Sequence, residues 1–238
     1  MERGYEARAV FLCLFCILGL RGGGRCARLS LAMEPESPHL RGCLVVFEGI
    51  DGTGKTTQIA LLAKYLRSCG LDVIKDCEPT HGPWGSRVRN AALAGERLSL
   101  EEEIECLLMD RREHVRNVIE PALAAGKWVL LDRYYMSMMA YQGACGADVE
   151  SIRDMNEEFA TEPNLILWLD LPPEMALRRV AGRAPGQEDA FENEAFLTAC
   201  TEIYSRLEMP HWHRVDANGS VQEVHARIRR IVRDELRI

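Results

Sequence analysis

The chain has 238 residues, which suits one domain with a sizeable core, alone or with extensions. Its 47% hydrophobic and 27% charged residues are ordinary for a soluble globular protein. A formal net charge of −7 argues against a general nucleic-acid or anionic-membrane surface, so any polyanion must bind through local arginines.

Residues 1–41 form an extension ahead of the first predicted strand, and the domain is expected at 42–238. The apolar run Ala9–Leu20 is short for a membrane span, and it lacks the charge pattern and cleavage site of a typical export signal. An export signal, an organelle-targeting segment and translation from an upstream start are the three interpretations, and we favour the last, with Met33 as the start. The nine scattered cysteines favour a reducing compartment, so we expect a cytoplasmic protein, with organelle targeting as the alternative.

Residues 49–56 read G-I-D-G-T-G-K-T and fit the phosphate-loop pattern G-x-x-x-x-G-K-[ST]. The apolar run Cys43–Glu48 predicts a strand before the loop, and the spacing of Gln58–Arg67 predicts a helix after it. Glycines let the backbone wrap a phosphate, Lys55 places a charge on the β/γ oxygens, and Thr56 offers Mg²⁺ a hydroxyl. An ordinary glycine-rich turn is the alternative, and the strand-then-helix context argues against it. The predicted ATP-binding residues are Gly49, Ile50, Asp51, Gly52, Thr53, Gly54, Lys55, Thr56 and Thr57.

Apolar runs and amphipathic segments alternate along the rest of the chain. The further predicted strands are Leu71–Asp76, Lys127–Asp132, Leu165–Leu171 and His213–Ala217, and Glu78–Gly85 is a turn-rich loop. Capping boxes predict helices from Ser99 towards Pro121 and after Ser220, and Pro172–Pro173 opens another helix. Strands alternating with helices predict an α/β P-loop NTPase fold: a five-stranded parallel sheet with helices on both faces, in three layers. Ligands bind such sheets at the carboxyl ends of the strands.

Three charged segments are candidates for binding a phosphate or magnesium, and each can also be explained by a salt bridge or a solvated helix face. Asp132-Arg133 follows a strand, where a carboxylate can hold magnesium and an arginine can take a phosphate, or the two can form a strand-end salt bridge. Asp110-Arg111-Arg112 lies within a helix, where adjacent charges usually form a solvated face. Arg179 and Arg183 share a helix face, either around an anion or in solvent.

Together these segments give a recognisable pattern. From Cys43 to the C-terminus the chain resembles the thymidylate (dTMP) kinase family. The matching stretches, in the family's order, are F-E-G-I-D-G-T-G-K-T-T-Q, E-P-T, D-R-R-E-H, L-D-R-Y-Y-M-S-M-M-A-Y-Q-G, L-D-L-P-P-E-M-A-L-R-R-V-A-G-R and V-D-A-N. The resemblance implies MgATP-dependent phosphorylation of dTMP to dTDP for dTTP synthesis, and it suggests a homodimer. The helix after Ser99 could supply the interface through Ile104, Leu107, Leu108 and Val115, or this stripe could pack on its own sheet.

The resemblance also assigns roles to residues. It implies Lys55, Asp51, Arg133, Arg183 and Arg179 as catalytic residues, with the two last in a lid at about 179–192. It implies Thr56 and Asp132 on the magnesium side and Asp216 near the adenine. The implied acceptor-binding residues are Glu48, Glu78, Pro79, Arg89, Leu107, Arg111, Ser137, Met138, Tyr141 and Gln142. Because Thr53 stands where some members carry a loop arginine, the mobile cation is expected from the lid, as Arg183 or Arg179.

The departures from the family pattern concentrate at the acceptor base. Leu107 stands where phenylalanine is usual, and Met138 stands where a second hydroxyl residue is common. The loop reads E-P-T-H-G-P-W-G instead of E-P-G-G-T, Cys77 precedes it in place of arginine, and Ala190 replaces a frequent lid arginine. A dTMP kinase is nevertheless the favoured function, because the departures lie mainly at the acceptor base and not at the ATP-binding loop. The alternatives are a nucleoside monophosphate kinase with altered base preference and an ATP-binding regulatory protein without transfer activity.

Overall fold

The structure, a computed structural model, describes residues 42–96, 98–182 and 194–238. Its strands are β1 Cys43–Glu48, β2 Val73–Cys77, β3 Trp128–Asp132, β4 Leu165–Asp170 and β5 Trp212–Asp216. They form one five-stranded sheet in the order β2-β3-β1-β4-β5, and every neighbouring pair is parallel. The predicted parallel sheet is confirmed, and the predicted strand ends differ only slightly from the observed ones.

The helices follow the strands in the expected alternation. They are α1 Lys55–Ser68, α2 Pro83–Leu93, α3 Leu100–His114, α4 Glu120–Ala124, α5 Tyr135–Ala144, α6 Val149–Glu157, α7 Pro173–Ala181, α8 Glu194–Arg206 and α9 Val221–Leu236. A π-helical turn, Val115–Ile119, joins α3 to α4 without a break, so the long helix predicted from Ser99 towards Pro121 contains one widened turn.

Two groups of helices cover the sheet. α1 packs on β1, β2 and β3, α9 packs on β4 and β5, and the two helices contact each other. A second group is centred on α5, which contacts α3, α6 and α8. Every residue of β1 is buried, as expected for a central parallel strand that is covered on both faces. The predicted three-layer α/β/α architecture is therefore confirmed.

Local sequence signals explain where several helices begin. The predicted capping boxes are both present: the side chains of Ser99 and Ser220 accept from the backbone N–H of Glu102 and Glu223. Pro173 occupies the first turn of α7, as predicted. The predicted loop Glu78–Gly85 is too long, because α2 already begins at Pro83.

The strand register brings the candidate site together at one edge of the sheet. Asp132, the last residue of β3, is paired with Phe47 of β1 and with Cys77 of β2. The phosphate loop therefore starts beside the end of β3, and the loop that begins at Glu78 starts on the other side of it. Among residues 42–96, 98–182 and 194–238, every helix is too short or too polar to traverse a lipid bilayer.

Candidate active site

The phosphate loop connects β1 to α1 through glycines that hold positive φ angles. Gly52 has φ +83°, and a Cβ placed on it would lie 2.2 Å from the carbonyl oxygen of Ala176, so no larger residue fits there. Gly54, with φ +97°, is the N-cap of α1. The helix begins at Lys55, so its unpaired N-terminal amides and its positive dipole end face the loop. This geometry suits an anion.

Lys55 is folded back into the loop. Its ammonium Nζ donates to the carbonyl oxygens of Gly49 and Ile50 at 2.8 and 3.0 Å and lies 3.9 Å from the Asp51 carboxylate. Burial, with a further contribution from the Arg133 charge, lowers the pKa of Lys55 to about 8. Thr53, the residue that replaces a loop arginine, is buried, and its hydroxyl donates to the Ile50 carbonyl at 2.9 Å.

A polar pocket of about 230 Å³ lies over this loop. Thr56 Oγ1 donates to Asp132 Oδ2 at 2.7 Å across it. Neighbouring oxygen ligands in an octahedral Mg²⁺ shell lie about 2.9 Å apart, so these two oxygens fit as adjacent ligands. In the described part of the chain, no group of three or more His, Cys, Asp or Glu side chains could hold an ion unaided. Thr56 and Asp132 therefore suit an ion that takes its other ligands from a nucleotide and water. The pocket is lined by Asp51, Gly52, Gly54, Lys55, Thr56, Thr57, Cys77, Glu78, Asp132 and Arg133.

Arg133 links the phosphate loop to the neighbouring pocket. It follows β3 with φ 70°, and its backbone N–H donates to the Phe47 carbonyl at 2.9 Å. Its guanidinium donates to Asp51 Oδ1 at 2.8 Å and to the hydroxyls of Ser137 and Tyr141, both at 3.0 Å. Desolvation acts against ionisation of Asp51, but the charges of Arg133 and Lys55 outweigh it and hold the pKa of this carboxyl below its usual range. Arg133 is thus a fixed cation between two pockets.

The second pocket, of about 180 Å³, adjoins the first and is mainly apolar. All of the expected acceptor-binding residues except Glu48 line it: Glu78, Pro79, Arg89, Leu107, Arg111, Ser137, Met138, Tyr141 and Gln142. Sequence reasoning did not single out Val88, Ala92, Glu103 and Tyr134, which also line it. Val88 and Ala92 belong to α2. Because this helix was not predicted, nothing in the sequence indicated a place for them in the pocket wall.

Glu48 lies beneath the pocket and does not line it. Its carboxylate is fully buried and accepts hydrogen bonds from the backbone N–H groups of Tyr134 and Ser137 and from the hydroxyls of Ser137 and Tyr204, at 2.6–3.2 Å. Burial raises the pKa of Glu48, although these donors and the Arg133 charge oppose the shift. Glu48 therefore ties β1 to the start of α5, where the pocket-lining side chains begin.

Comparisons with known proteins agree with this geometry. The family model for thymidylate kinase matches residues 47–228. The thymidylate kinase of Akkermansia muciniphila is 54% identical over 190 residues, covering 80% of this chain and 91% of the relative. Those of Desulfotalea psychrophila and Xanthomonas campestris pv. campestris are 45% and 43% identical, covering 77% and 83% of this chain and 90% and 87% of the relatives.

The chain belongs to the thymidylate kinase family. The family model spans both pockets, from Phe47 at the end of β1 to Ile228 in α9. Residues 1–41 lie outside both the match and the described part of the structure, so the interpretation of their role stays a prediction.

The expected lid arginines are only partly described. Arg183 and Ala190 lie within 183–193, outside the described residues. Arg179, in the last turn of α7, donates from Nη2 to the Ala217 carbonyl at 3.3 Å and so contacts the V-D-A segment expected near the adenine. Asp170, the second strand-end aspartate, accepts from Arg214 Nε at 2.8 Å and does not line the phosphate-loop pocket.

The segment D-R-R-E-H does not form the solvated face that its adjacent charges suggest. Asp110, Arg111 and His114 are buried, whereas the Arg112 side chain is 46% exposed. Arg111 and His114 follow Asp110 by one and four positions, so the sequence already placed the three on one side of a helix. Their burial depends on partners distant in the chain, such as Asn156 of α6, whose amide oxygen accepts from Arg111 Nη1 at 2.5 Å.

Asp110 fixes the loop between β2 and α2. Its carboxylate accepts from the backbone N–H and the hydroxyl of Thr80, both at 2.6 Å, and from the backbone N–H of Gly85 at 3.1 Å. Arg89 of α2 donates to the Pro79 carbonyl. Asp110 and Arg89 therefore hold the loop between β2 and α2, whose sequence differs from the family's common E-P-G-G-T.

Proposed function

We propose that this protein transfers the γ-phosphoryl group of ATP to dTMP and produces dTDP. The observation that carries the proposal is that the two pockets adjoin and share Asp51, Glu78 and Arg133. One pocket has the glycine loop, the lysine and the helix N-terminus that suit a triphosphate. The other has an apolar body with a few polar groups, which suits a nucleoside monophosphate whose phosphate lies towards Arg133.

The chain's own residues act by alignment and by charge. Phosphoryl transfer needs little covalent chemistry from the protein, so positioning two anions and compensating their charge does most of the work. The loop amides and Lys55 hold the β/γ oxygens. Arg133, together with Arg89 of α2, holds the acceptor phosphate. Asp51 lies beside both cations and keeps Arg133 oriented between the two phosphates.

We also propose that Thr56 and Asp132 hold Mg²⁺ together with the nucleotide. There Mg²⁺ would offset the negative charge that develops on the phosphate oxygens during transfer. The expected mobile cation, Arg183 or Arg179, would close over the donor and exclude water. The hydrogen bond from Arg179 to the Ala217 carbonyl supports a place for Arg179 beside the adenine. Arg183 is therefore our candidate for the cation that contacts the phosphoryl group in transfer.

A coupled assay with MgATP and dTMP, dUMP, UMP, CMP and AMP tests the proposal. Turnover on dTMP well above the others is expected. A profile shifted to another monophosphate would contradict dTMP as the acceptor, and absence of turnover on all five would contradict transfer itself. Leu107 and Met138 lie in the acceptor wall, so a shifted profile would direct attention to them first.

The free cysteines bear on the location of the protein in the cell. Cys43, Cys69, Cys77, Cys106, Cys145 and Cys200 are free thiols, and the substrates are cytoplasmic metabolites, so we place the protein in the cytoplasm, without a nucleic-acid or membrane partner.

We also propose a homodimer. Leu107 and Val115 of the expected interface stripe pack into the core, so Leu93 and Met109, which are 70% and 36% exposed, are the better interface candidates. Sedimentation equilibrium tests this, and a monomer at micromolar concentration would contradict it.

A further inference from the structure

The guanidinium of Arg111 has one nitrogen left for a ligand. Its Nε donates to Glu78 Oε2 at 2.7 Å. Its Nη1 donates to Asn156 Oδ1 at 2.5 Å and lies 3.5 Å from the Met138 sulfur. No described residue accepts a hydrogen bond from Nη2, although Arg111 lines the acceptor pocket. Nη2 is therefore the atom that can donate to an acceptor base.

Glu78 divides its carboxylate between two partners. Oε2 accepts from Arg111, and Oε1 lies 2.9 Å from His114 Nδ1. The Glu78 side chain is only 3% exposed, so water cannot readily take the place of either partner. A carboxylate and a guanidinium frequently pair through two parallel hydrogen bonds. Such a pairing here would engage Nε and Nη2 together.

His114 contacts Glu78 Oε1, the oxygen that such a second bond would use. It lies one turn beyond Arg111 on α3, so the two side chains share a helix face. Its Nε2 is 3.3 Å from Asp76 Oδ2, which puts a carboxylate at each ring nitrogen. Burial acts against the charged ring, but the bonds to Asp76 and Glu78 prevail and raise the pKa of His114 to about 9. The ring is therefore an imidazolium at neutral pH: Nδ1 donates to Glu78 Oε1, and Nε2 meets Asp76 as an ion pair.

We propose that His114 is a positioning residue for the acceptor site: by holding Glu78 Oε1, it keeps Arg111 Nη2 available to a carbonyl oxygen of the acceptor base. The inference rests on the proposed function, because it assumes that a pyrimidine monophosphate occupies this pocket. His114 does not touch the acceptor itself. It acts through Glu78, and Asn156 and Met138 fix the other side of the same guanidinium.

Two amide replacements separate the two ring nitrogens. In His114→Asn the amide nitrogen takes the place of Nδ1 and still donates to Glu78. In His114→Gln it takes the place of Nε2, faces Asp76 and leaves Glu78 Oε1 unheld. We expect H114Q to raise KM for dTMP about tenfold, the effect of losing one charge-assisted hydrogen bond, with KM for ATP unchanged. H114N should stay near the wild-type KM for dTMP.

Base discrimination gives a second readout that a purely structural role would not change. dUMP and dCMP differ at ring position 4, where one has a carbonyl and the other an amino group. The ratio of their kcat/KM values should fall about tenfold in H114Q and little in H114N, because the donor Nη2 favours the carbonyl. Val115→Ala is the matched control: it removes buried volume next to His114 without touching Glu78, so it should lower stability and leave both readouts unchanged.

The outcomes are distinguishable. Equal KM values and equal dUMP/dCMP ratios in H114N and H114Q would overturn the inference, and so would a V115A enzyme that matches H114Q in both readouts. Failure of the wild-type enzyme to phosphorylate dTMP would instead overturn the proposed function, and the inference with it. If H114Q does not fold, His114→Phe in the same assays replaces it, since phenylalanine also lacks a donor to Glu78.

Discussion

Thr56 Oγ1 and Asp132 Oδ2 lie 2.7 Å apart, which joins the first turn of α1 to the end of β3. The register that pairs Phe47 with Asp132 makes this contact possible, because it brings the carboxyl ends of β1 and β3 level. Asp132 thus belongs to the phosphate-loop pocket through strand pairing, although it is distant in sequence.

Asp132→Asn should weaken the use of magnesium. The amide keeps the shape of the side chain but removes the charge that favours a divalent cation. We expect the Mg²⁺ concentration for half-maximal rate to rise, and kcat to fall, by about tenfold or more. A Mg²⁺ titration at saturating ATP measures this. Asp170→Asn is the control, since Asp170 ends β4, on the other side of β1, and pairs with Arg214; the same Mg²⁺ dependence in D132N and D170N would refute the assignment.

The reaction should depend on pH through Lys55. Burial and the Arg133 charge lower its pKa to about 8, so the ammonium is lost as the pH rises through that value. A neutral amine no longer attracts the β/γ oxygens, so kcat/KM for ATP, which reports the free enzyme, should fall above pH 8. Bound triphosphate favours the ammonium, so kcat at saturating ATP should fall only at higher pH.

Lys55→Arg is the control for this pH profile, because a guanidinium stays charged throughout the range. Its kcat/KM for ATP should be lower than that of the wild type at every pH but should not show the fall. A wild-type profile that is flat to about pH 9.5, or the same fall in K55R, would show that another group titrates.

The motif residues account for much of what could be predicted from the sequence. Residues from β1, the loop after β2, α3 and α5 were expected at one acceptor site, and the structure brings all but Glu48 into the wall of one pocket. The sheet followed from five apolar runs with helical spacing between them. The sheet prediction succeeds because each apolar run is a short stretch whose periodicity is complete in itself. The acceptor residues were implied by the family resemblance, and their binding roles stay predictions.

Other features depend on partners that are remote in the chain. Asp110 and His114 carry charge in a helix, which by itself indicates solvent, and only their contacts with Thr80, Asp76 and Glu78 explain their burial. α2 was missed because Gly82 and Pro83, which open it, also mark turns. Contacts between elements decided the first case, and a local signal shared by turns and helix starts decided the second.

The two lid arginines should have separable roles. Arg179 contacts the Ala217 carbonyl, so Arg179→Ala should raise KM for ATP about fivefold or more with a smaller effect on kcat. Arg183→Ala should instead lower kcat about a hundredfold or more with little change in KM for ATP, as expected for a cation that acts in the transition state. Initial rates over a range of ATP concentrations measure both. Arg178→Ala, an exposed neighbour, is the control; wild-type turnover in R183A would contradict its assignment.

The loop before α2 should depend on Asp110. In Asp110→Asn, an NH₂ group replaces one carboxylate oxygen, so at least one of the donors from Thr80 and Gly85 faces another donor and loses its hydrogen bond. We expect a loss of about 2–3 kcal/mol in the free energy of unfolding and a raised KM for dTMP, because Glu78 and Pro79 move with the loop. Urea denaturation and dTMP kinetics measure these. Arg112→Gln, two residues along α3 and exposed, should change neither; stability within about 0.5 kcal/mol of wild type in D110N would argue against the anchor.

Stability should also depend on pH through His114. The pKa of this ring is raised from 6.5 to about 9, so its charged contacts with Asp76 and Glu78 stabilise the folded state fully below pH 6.5. The contribution declines as the pH rises towards 9, because the folded protein then loses the proton that the unfolded chain has already lost. The difference in unfolding free energy between wild type and His114→Asn should therefore be largest in mild acid and shrink at alkaline pH. Urea titrations at several pH values measure it, with the partly exposed His213→Asn as the control. A difference that is constant across this range would mean that the ring is held by packing and not by its charge.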